Sequence, residues 1–191
     1  MISSSIDRMT ESEVSIRLAE FLLSLPGSDG LAEVAIDGAS VVNGGVQIFD
    51  MAGFLVQHSW RKVSSEGKNT WTGTYERDGK KLRVHSHPGV GDVVAIVGGH
   101  RVVAECKKGW LVAKRGSPER PLLATALGQA LLVNATQGDV VVAAVPDTKA
   151  FRKIATQWRD EPLVKKAGIR ICLVGRDENV DGLWDLTIAA E

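Results

Sequence analysis

Apolar residues recur at Val14, Leu18, Phe21, Leu22 and Leu25, the spacing of a helix that buries one stripe. Thr10-Glu11-Ser12-Glu13 precedes them with a capping-box pattern, Thr10 as N-cap and Glu13 at N3, and Pro26-Gly27 ends the run. Glu20 falls outside the stripe, alongside Glu13, Arg17 and Ser24, where a solvated helix face is the plain expectation. Residues 31–87 alternate less cleanly. Residues 34–36 and 46–49 suit short strands between turns, and residues 54–63 fit either a strand or a short helix. Residues 71–76 and 81–87, joined by Arg77-Asp78-Gly79-Lys80, form a predicted hairpin, because Asp-Gly favours a tight turn.

Residues 91–108 carry the clearest pattern. Two runs of small and β-branched residues flank Gly98-Gly99, which predicts a hairpin with those two glycines as its loop. Beyond a basic connector over 109–116, Ser117 as N-cap and Pro118 at N1 predict a helix with a broad apolar face from Leu122 to Val133, carrying Gln129. Residues 139–145 are almost continuously apolar and suit a strand buried on both sides. Asp147 then caps a predicted helix bearing Phe151, Ile154, Ala155 and Trp158. A helical turn over 162–167 stops at Gly168. Residues 169–174 are a further buried strand, and 183–189 a last one. Antiparallel strands followed by strand–helix–strand units predict an α/β fold, one domain with a mixed β-sheet flanked by helices on both faces and a β-rich elaboration at about 31–87.

The 191 residues have no net charge, but the charge is unevenly spread. Residues 1–57 carry two basic and eight acidic side chains, whereas 58–120 carry thirteen basic and six acidic. A basic central segment suits an anionic partner approaching one face. Trp60, Trp71 and Tyr75 are interleaved with those cations, which suits either nucleic-acid stacking or anchoring in the core. No apolar run reaches the roughly 20 residues of a membrane span, and residues 1–7 lack the basic and apolar regions of a signal peptide. With Cys106 and Cys172 both in apolar runs, where buried reduced thiols are expected, a cytoplasmic location without membrane contact follows.

The hairpin also poses an electrostatic problem. With Val97 opposite His100, the register places Asp92 opposite Glu105, and Lys107 two residues further along the same face. Like charges in that position repel across the strands. A divalent cation and a nearby ammonium would offset the repulsion, so the hairpin is a candidate metal site. An acidic residue two before a lysine also occurs at Glu66-Gly67-Lys68, Asp78-Gly79-Lys80 and Asp147-Thr148-Lys149. Those lie in predicted turns or at a helix start, and none faces an aspartate on a paired strand.

Gly91-Asp92 followed by Glu105-Cys106-Lys107, set between an N-terminal helix and a helix–strand–helix–strand tail, resembles the PD-(D/E)XK nuclease superfamily, with its restriction-endonuclease-like fold. Gly91 stands where that family usually has proline. Residues 31–87 have no counterpart in the resemblance. It implies that Asp92, Glu105 and the main-chain carbonyl of Cys106 hold Mg²⁺ or Mn²⁺, while Lys107 positions the nucleophile or stabilises the transition state. Arg17-Leu18-Ala19-Glu20 is similar to the acidic position on the family's first helix, which would give Glu20 a role in orienting a water. Gln129 is similar to a glutamine after the motif lysine, which would contact substrate or the lysine. The implied activity is metal-dependent hydrolysis of phosphodiester bonds in DNA, and cutting both strands of a duplex suits a homodimer. The alternatives are a nuclease acting on RNA and a nucleic-acid-binding module that keeps the fold without cutting. A surface salt bridge among Asp92, Glu105 and Lys107 is the purely structural alternative.

Overall fold

In the computed structural model, which describes residues 7–112, 116, 118–183 and 186, hairpin chemistry sets the central register. Gly98 and Gly99 both have positive φ, 57° and 79°, as a two-residue type I′ loop requires. They join β8 (Val93–Val97) to β9 (His100–Cys106), with Val97 opposite His100 and Val93 opposite Ala104. A second loop of this kind, at Asp78 and Gly79, joins β6 (Gly73–Arg77) to β7 (Lys80–His85).

Around these hairpins the chain builds one nine-stranded mixed sheet. Its other members are β2 (Ser28–Ala35), β5 (Arg61–Ser65), β11 (Val140–Pro146), β12 (Arg170–Val174) and β13 (Val180–Asp181). The order is β13-β12-β11-β9-β8-β2-β7-β6-β5. β11 runs parallel to both β9 and β12, and β7 parallel to β2; the remaining neighbours are antiparallel. Two two-stranded pairs stand apart from it. One is β1 (Arg8–Met9) with β10 (Gly109–Trp110); the other is β3 (Val42–Asn43) with β4 (Val46–Gln47).

Helices sit on both faces. α1 (Glu11–Ser24) crosses β2 and β8 on one face, joined there by α2 (Gly38–Val41) and α3 (Met51–Gln57). α4 (Glu119–Ala130) covers β9 and β11 on the other face, and α5 (Lys149–Arg159), followed by α6 (Pro162–Ala167), covers β12. The core divides accordingly. Val102, Ala104 and Cys106 of β9 join the α1 side, whereas Leu123, Val145, Phe151 and Leu173 close the α4–α5 side.

Several local expectations are corrected. α1 buries far more than one stripe, because α2, α3 and the loop before β13 pack around it; Ser12, Glu13, Ser15 and Glu20 are all buried. Thr10 caps the helix through the amide of Glu13, but the Glu13 carboxylate does more than complete a cap. It binds Arg17 and takes two bonds from Arg176 (2.8 and 2.9 Å). Residues 46–49 give only the two-residue β4, and 54–63 divide into the end of α3 and the start of β5. α5 is capped by Thr148; Asp147 instead pairs with Arg152. Pro118 stands at the N-cap of α4 rather than N1, and α4 ends at Ala130, so Leu131 and Leu132 are exposed. The Ser117 cap lies outside the described residues, as does most of the proposed strand over 183–189. Trp60, Trp71 and Tyr75 are buried anchors, and both cysteines are free and buried. No helix among the described residues is long and apolar enough to cross a membrane.

The β1–β10 pair anchors the start of α1. Met9 pairs with Gly109 and Arg8 with Trp110, so the first turn of α1 is held beside the end of β9. A Cβ on Gly109 would lie 2.4 Å from Cε2 of the fully buried Phe151 ring. Gly109→Ala is therefore expected to lower stability by about 1–3 kcal/mol, the scale of an overpacked core. A chemical denaturation midpoint equal to wild type would show that this contact imposes no constraint.

Candidate active site at the end of β9

β8 begins late relative to β9. Regular pairing ends at Val93 opposite Ala104, and the Asp92 amide donates to the Ala104 carbonyl (2.8 Å). Main-chain polar groups alternate sides along a strand, so the amide and carbonyl of Cys106 point into the place β8 has vacated. The Asp92 carboxylate fills that place and accepts from the Cys106 amide at 2.7 Å. The Cys106 carbonyl accepts from Lys107 Nζ, also at 2.7 Å. Two side chains thus replace the missing main-chain partners of one residue.

Lys107 leaves the sheet, because its amide donates to Ala144 of β11 and β9 has ended. Its side chain is largely buried. Nζ lies 3.2 Å from Glu11 Oε1 and 3.9 Å from Asp92 Oδ2. Asp92 and Glu105 line one cleft of about 310 Å³, walled by residues 35–37, 86–89 and 91. Asp92 and Glu105 therefore share a cleft, although the ladder bends before Asp92 instead of continuing in simple register.

Electrostatics follow from this crowding. Burial raises the Asp92 carboxyl to about 6, despite the Cys106 amide and Lys107. Burial also raises Glu105, to about 7, with the Asp92 charge adding to the effect. Burial pushes the Cys106 thiol well above its ordinary range. It packs in the core on the α1 side, which leaves the main-chain carbonyl as the residue's contribution to the cleft.

Glu20, the α1 acid singled out from the sequence, is engaged away from Lys107. Glu20 takes bonds from His58 Nδ1 (2.9 Å), Trp60 Nε1 (2.7 Å) and Arg77 (3.1 Å). Burial pushes its carboxyl up, yet the bonds from His58 and Trp60 hold it below the ordinary range. It knits α1 to the residues after α3 and to β6. Nine residues separate it from Glu11, about 13 Å along the axis and half a turn round. Glu11, read from sequence only as part of a cap, is the α1 carboxylate that reaches Lys107. Its signal was hidden in the β1–β10 pairing, two residues on each side. Gln129, exposed near the end of α4, lines a neighbouring cleft of about 390 Å³ with Glu105 and Val90.

An all-oxygen donor set of two carboxylates and a carbonyl suits a hard divalent cation. A carbonyl oxygen has two lone pairs, so the Lys107 bond does not exhaust Cys106. Among the described residues no group of three or more His, Cys, Asp and Glu side chains is arranged to hold a metal ion. A cation here would therefore rest on Asp92, Glu105 and the Cys106 carbonyl, with water completing its shell.

Part of the basic segment is paired with carboxylates in place. Arg83 pairs with Glu66 and Glu33, Arg101 with Asp139, Arg61 and Lys81 with Glu76, and Arg77 with Glu20. Comparison with protein-family models, with characterised proteins and with solved structures finds no match.

Glu105 binds its proton more tightly when folded than its ordinary value of 4.5 allows. The stability this contributes is complete below about 4.5 and is lost as pH rises through about 7. With divalent cations chelated, Glu105→Gln is therefore expected to gain melting temperature relative to wild type between pH 5 and pH 8. Parallel melting curves for the two proteins across that range would show that Glu105 titrates normally.

Proposed function

We infer that this protein is a metal-dependent nuclease that hydrolyses phosphodiester bonds, with DNA as its substrate. The observation that carries the reading is the meeting of two cleft carboxylates, one lysine and one main-chain carbonyl where β8 starts late beside β9. The order of elements supports it too. α1 precedes β2; the hairpin β8–β9 follows, then α4 and β11 parallel to β9. That is the arrangement expected from the PD-(D/E)XK resemblance, with residues 38–85 as an addition between β2 and β8.

Asp92, Glu105 and the Cys106 carbonyl would hold Mg²⁺ or Mn²⁺. Bound there, the ion supplies Lewis-acid polarisation of a phosphoryl oxygen and a water acidic enough to attack near neutral pH. The chain's own groups do the rest. Lys107 is held against the Cys106 carbonyl and between Glu11 and Asp92, so its ammonium is oriented toward the phosphate or nucleophile. A cation fixed in a partly buried site stabilises developing negative charge without reorganising. Glu11 acts on Lys107, and through it on the reaction. Gln129 stands on the α4 wall of the same region, where it can hydrogen-bond a substrate oxygen.

Two measurements test this. Lys107→Ala is expected to abolish Mg²⁺-dependent cleavage of plasmid and oligonucleotide DNA while leaving the circular dichroism spectrum unchanged; undiminished cleavage would exclude the assignment. Mg²⁺ is also expected to raise the melting temperature at pH 8, by about 2.7 kcal/mol of stabilisation at a hundredfold excess over Kd. Asp92→Asn with Glu105→Gln should remove that shift. A shift that persists in the double variant would place the cation elsewhere.

A further inference from the structure

Half of one sheet face has no helix over it. α4 and α5 cover β9, β11 and β12, but among the described residues no helix packs closely on that face of β8, β2 and β7. Leu31 and Ile96 are exposed there, at 39% and 41%. The uncovered face holds a cleft of about 420 Å³ whose lining includes Glu33, Arg83, His85, His87, Val94 and Arg101. This size falls in the range of small-molecule sites, roughly 300–1,000 Å³. It also shares a wall with the Asp92–Glu105 cleft, formed by Ala35, His87, Pro88, Gly89 and Gly91. A ligand in one cleft is therefore a direct neighbour of a ligand in the other.

The lining tells which chemical class fits. Arg83 donates three bonds to Glu66 and Glu33, and Arg101 donates two to Asp139. With those charges compensated, the cleft offers no net positive well for a phosphate. It offers instead fixed donors on the two guanidinium groups and an acceptor on the Glu33 carboxylate. Two imidazole rings lie 6.0 Å apart, beside the apolar surface of Val94, Pro88 and Val90. His85 Nδ1 is buried with no hydrogen-bond partner among the described residues, which leaves it free to take one from water or a ligand. Donors, an acceptor and flat ring faces around an apolar floor match a nucleobase, which combines a stacking face with a polar edge.

Resting on the nuclease reading, we propose that this cleft receives one unstacked nucleobase of the substrate strand, next to the phosphodiester that Lys107 and a cation on Asp92 and Glu105 would hold. The base would stack against His87, with its edge toward Glu33 and Arg83, which line the same cleft. A base inside a duplex cannot enter, so the preferred substrate is single-stranded, or opened at the cut.

The test uses short single-stranded DNA carrying the fluorescent base 2-aminopurine at successive positions, bound to the full chain with Ca²⁺ in place of Mg²⁺. One position is expected to change emission on binding, and an abasic site there is expected to weaken binding roughly tenfold or more, the scale of a lost stacking contact. His87→Ala, and Val94→Arg as a cleft-filling change outside the candidate catalytic group, should both erase the positional signal with the circular dichroism spectrum intact; Lys107→Ala should keep it. A flat positional scan, or a signal undiminished in both cleft variants, would overturn the proposal. The two readings fail separately. A flat scan with Mg²⁺-dependent cleavage removes the base cleft alone, whereas a positional signal without any cleavage removes the nuclease activity and leaves the cleft as a base-binding site.

Discussion

The hydrogen bond from the Cys106 amide to the Asp92 carboxylate is the constraint on which the candidate site depends. A strand that ends without its neighbour leaves main-chain groups that must find partners. Here the neighbour starts two residues too late to pair, and a carboxylate takes its place. That substitution draws a charged group into a partly buried gap beside a second carboxylate. The Lys107 ammonium comes to that gap, 3.9 Å from Asp92. The chemistry proposed for this protein is a consequence of how one hairpin is cut short.

The second requirement is that the cation comes to the gap from the right side. Lys107 has left β9 and reaches Glu11, on the turn that follows the pairing of Met9 with Gly109. The Glu13–Arg17–Arg176 group fixes the same helical turn from behind. The opposite end of α1 is held by Glu20 through His58, Trp60 and Arg77. One helix therefore carries two buried carboxylate clusters with separate duties: the first positions groups at the cleft, and the second secures the added strands.

What could be read from the sequence follows the range of the interactions involved. The hairpin, its glycine loop, the Thr10 cap and the order of elements are local, and periodicity and turn chemistry expose them. The proximity of Asp92, Glu105 and Lys107 was legible because the hairpin brings the start of β8 beside the end of β9, although the pairing becomes irregular before Asp92. Glu11 was not, since two-residue strands leave no periodic trace, and an acid at a helix start already has a local explanation. Glu20 was misassigned for the complementary reason: an acidic residue off the main stripe resembles a solvated one until His58 and Trp60 fold over it. The pairing of Arg83, Arg101 and Arg77 was hidden in the same way, because they meet their carboxylates only in three dimensions.

The insertion between β2 and β8 also governs the order in which the molecule can assemble. The β8–β9 hairpin closes over two residues, an event of microseconds. Val34 must find Val93 across 59 positions, and Met9 must find Gly109 across 100. Loop closure costs more as the loop lengthens, and distant pairings reward it late. The carboxylates Asp92 and Glu105 can thus approach each other early, while Glu11 is delivered to Lys107 by the longest-range pairing at the site. A folding intermediate with a complete hairpin would still lack that contact, so a chain of this topology withholds its finished site until its N-terminus has docked.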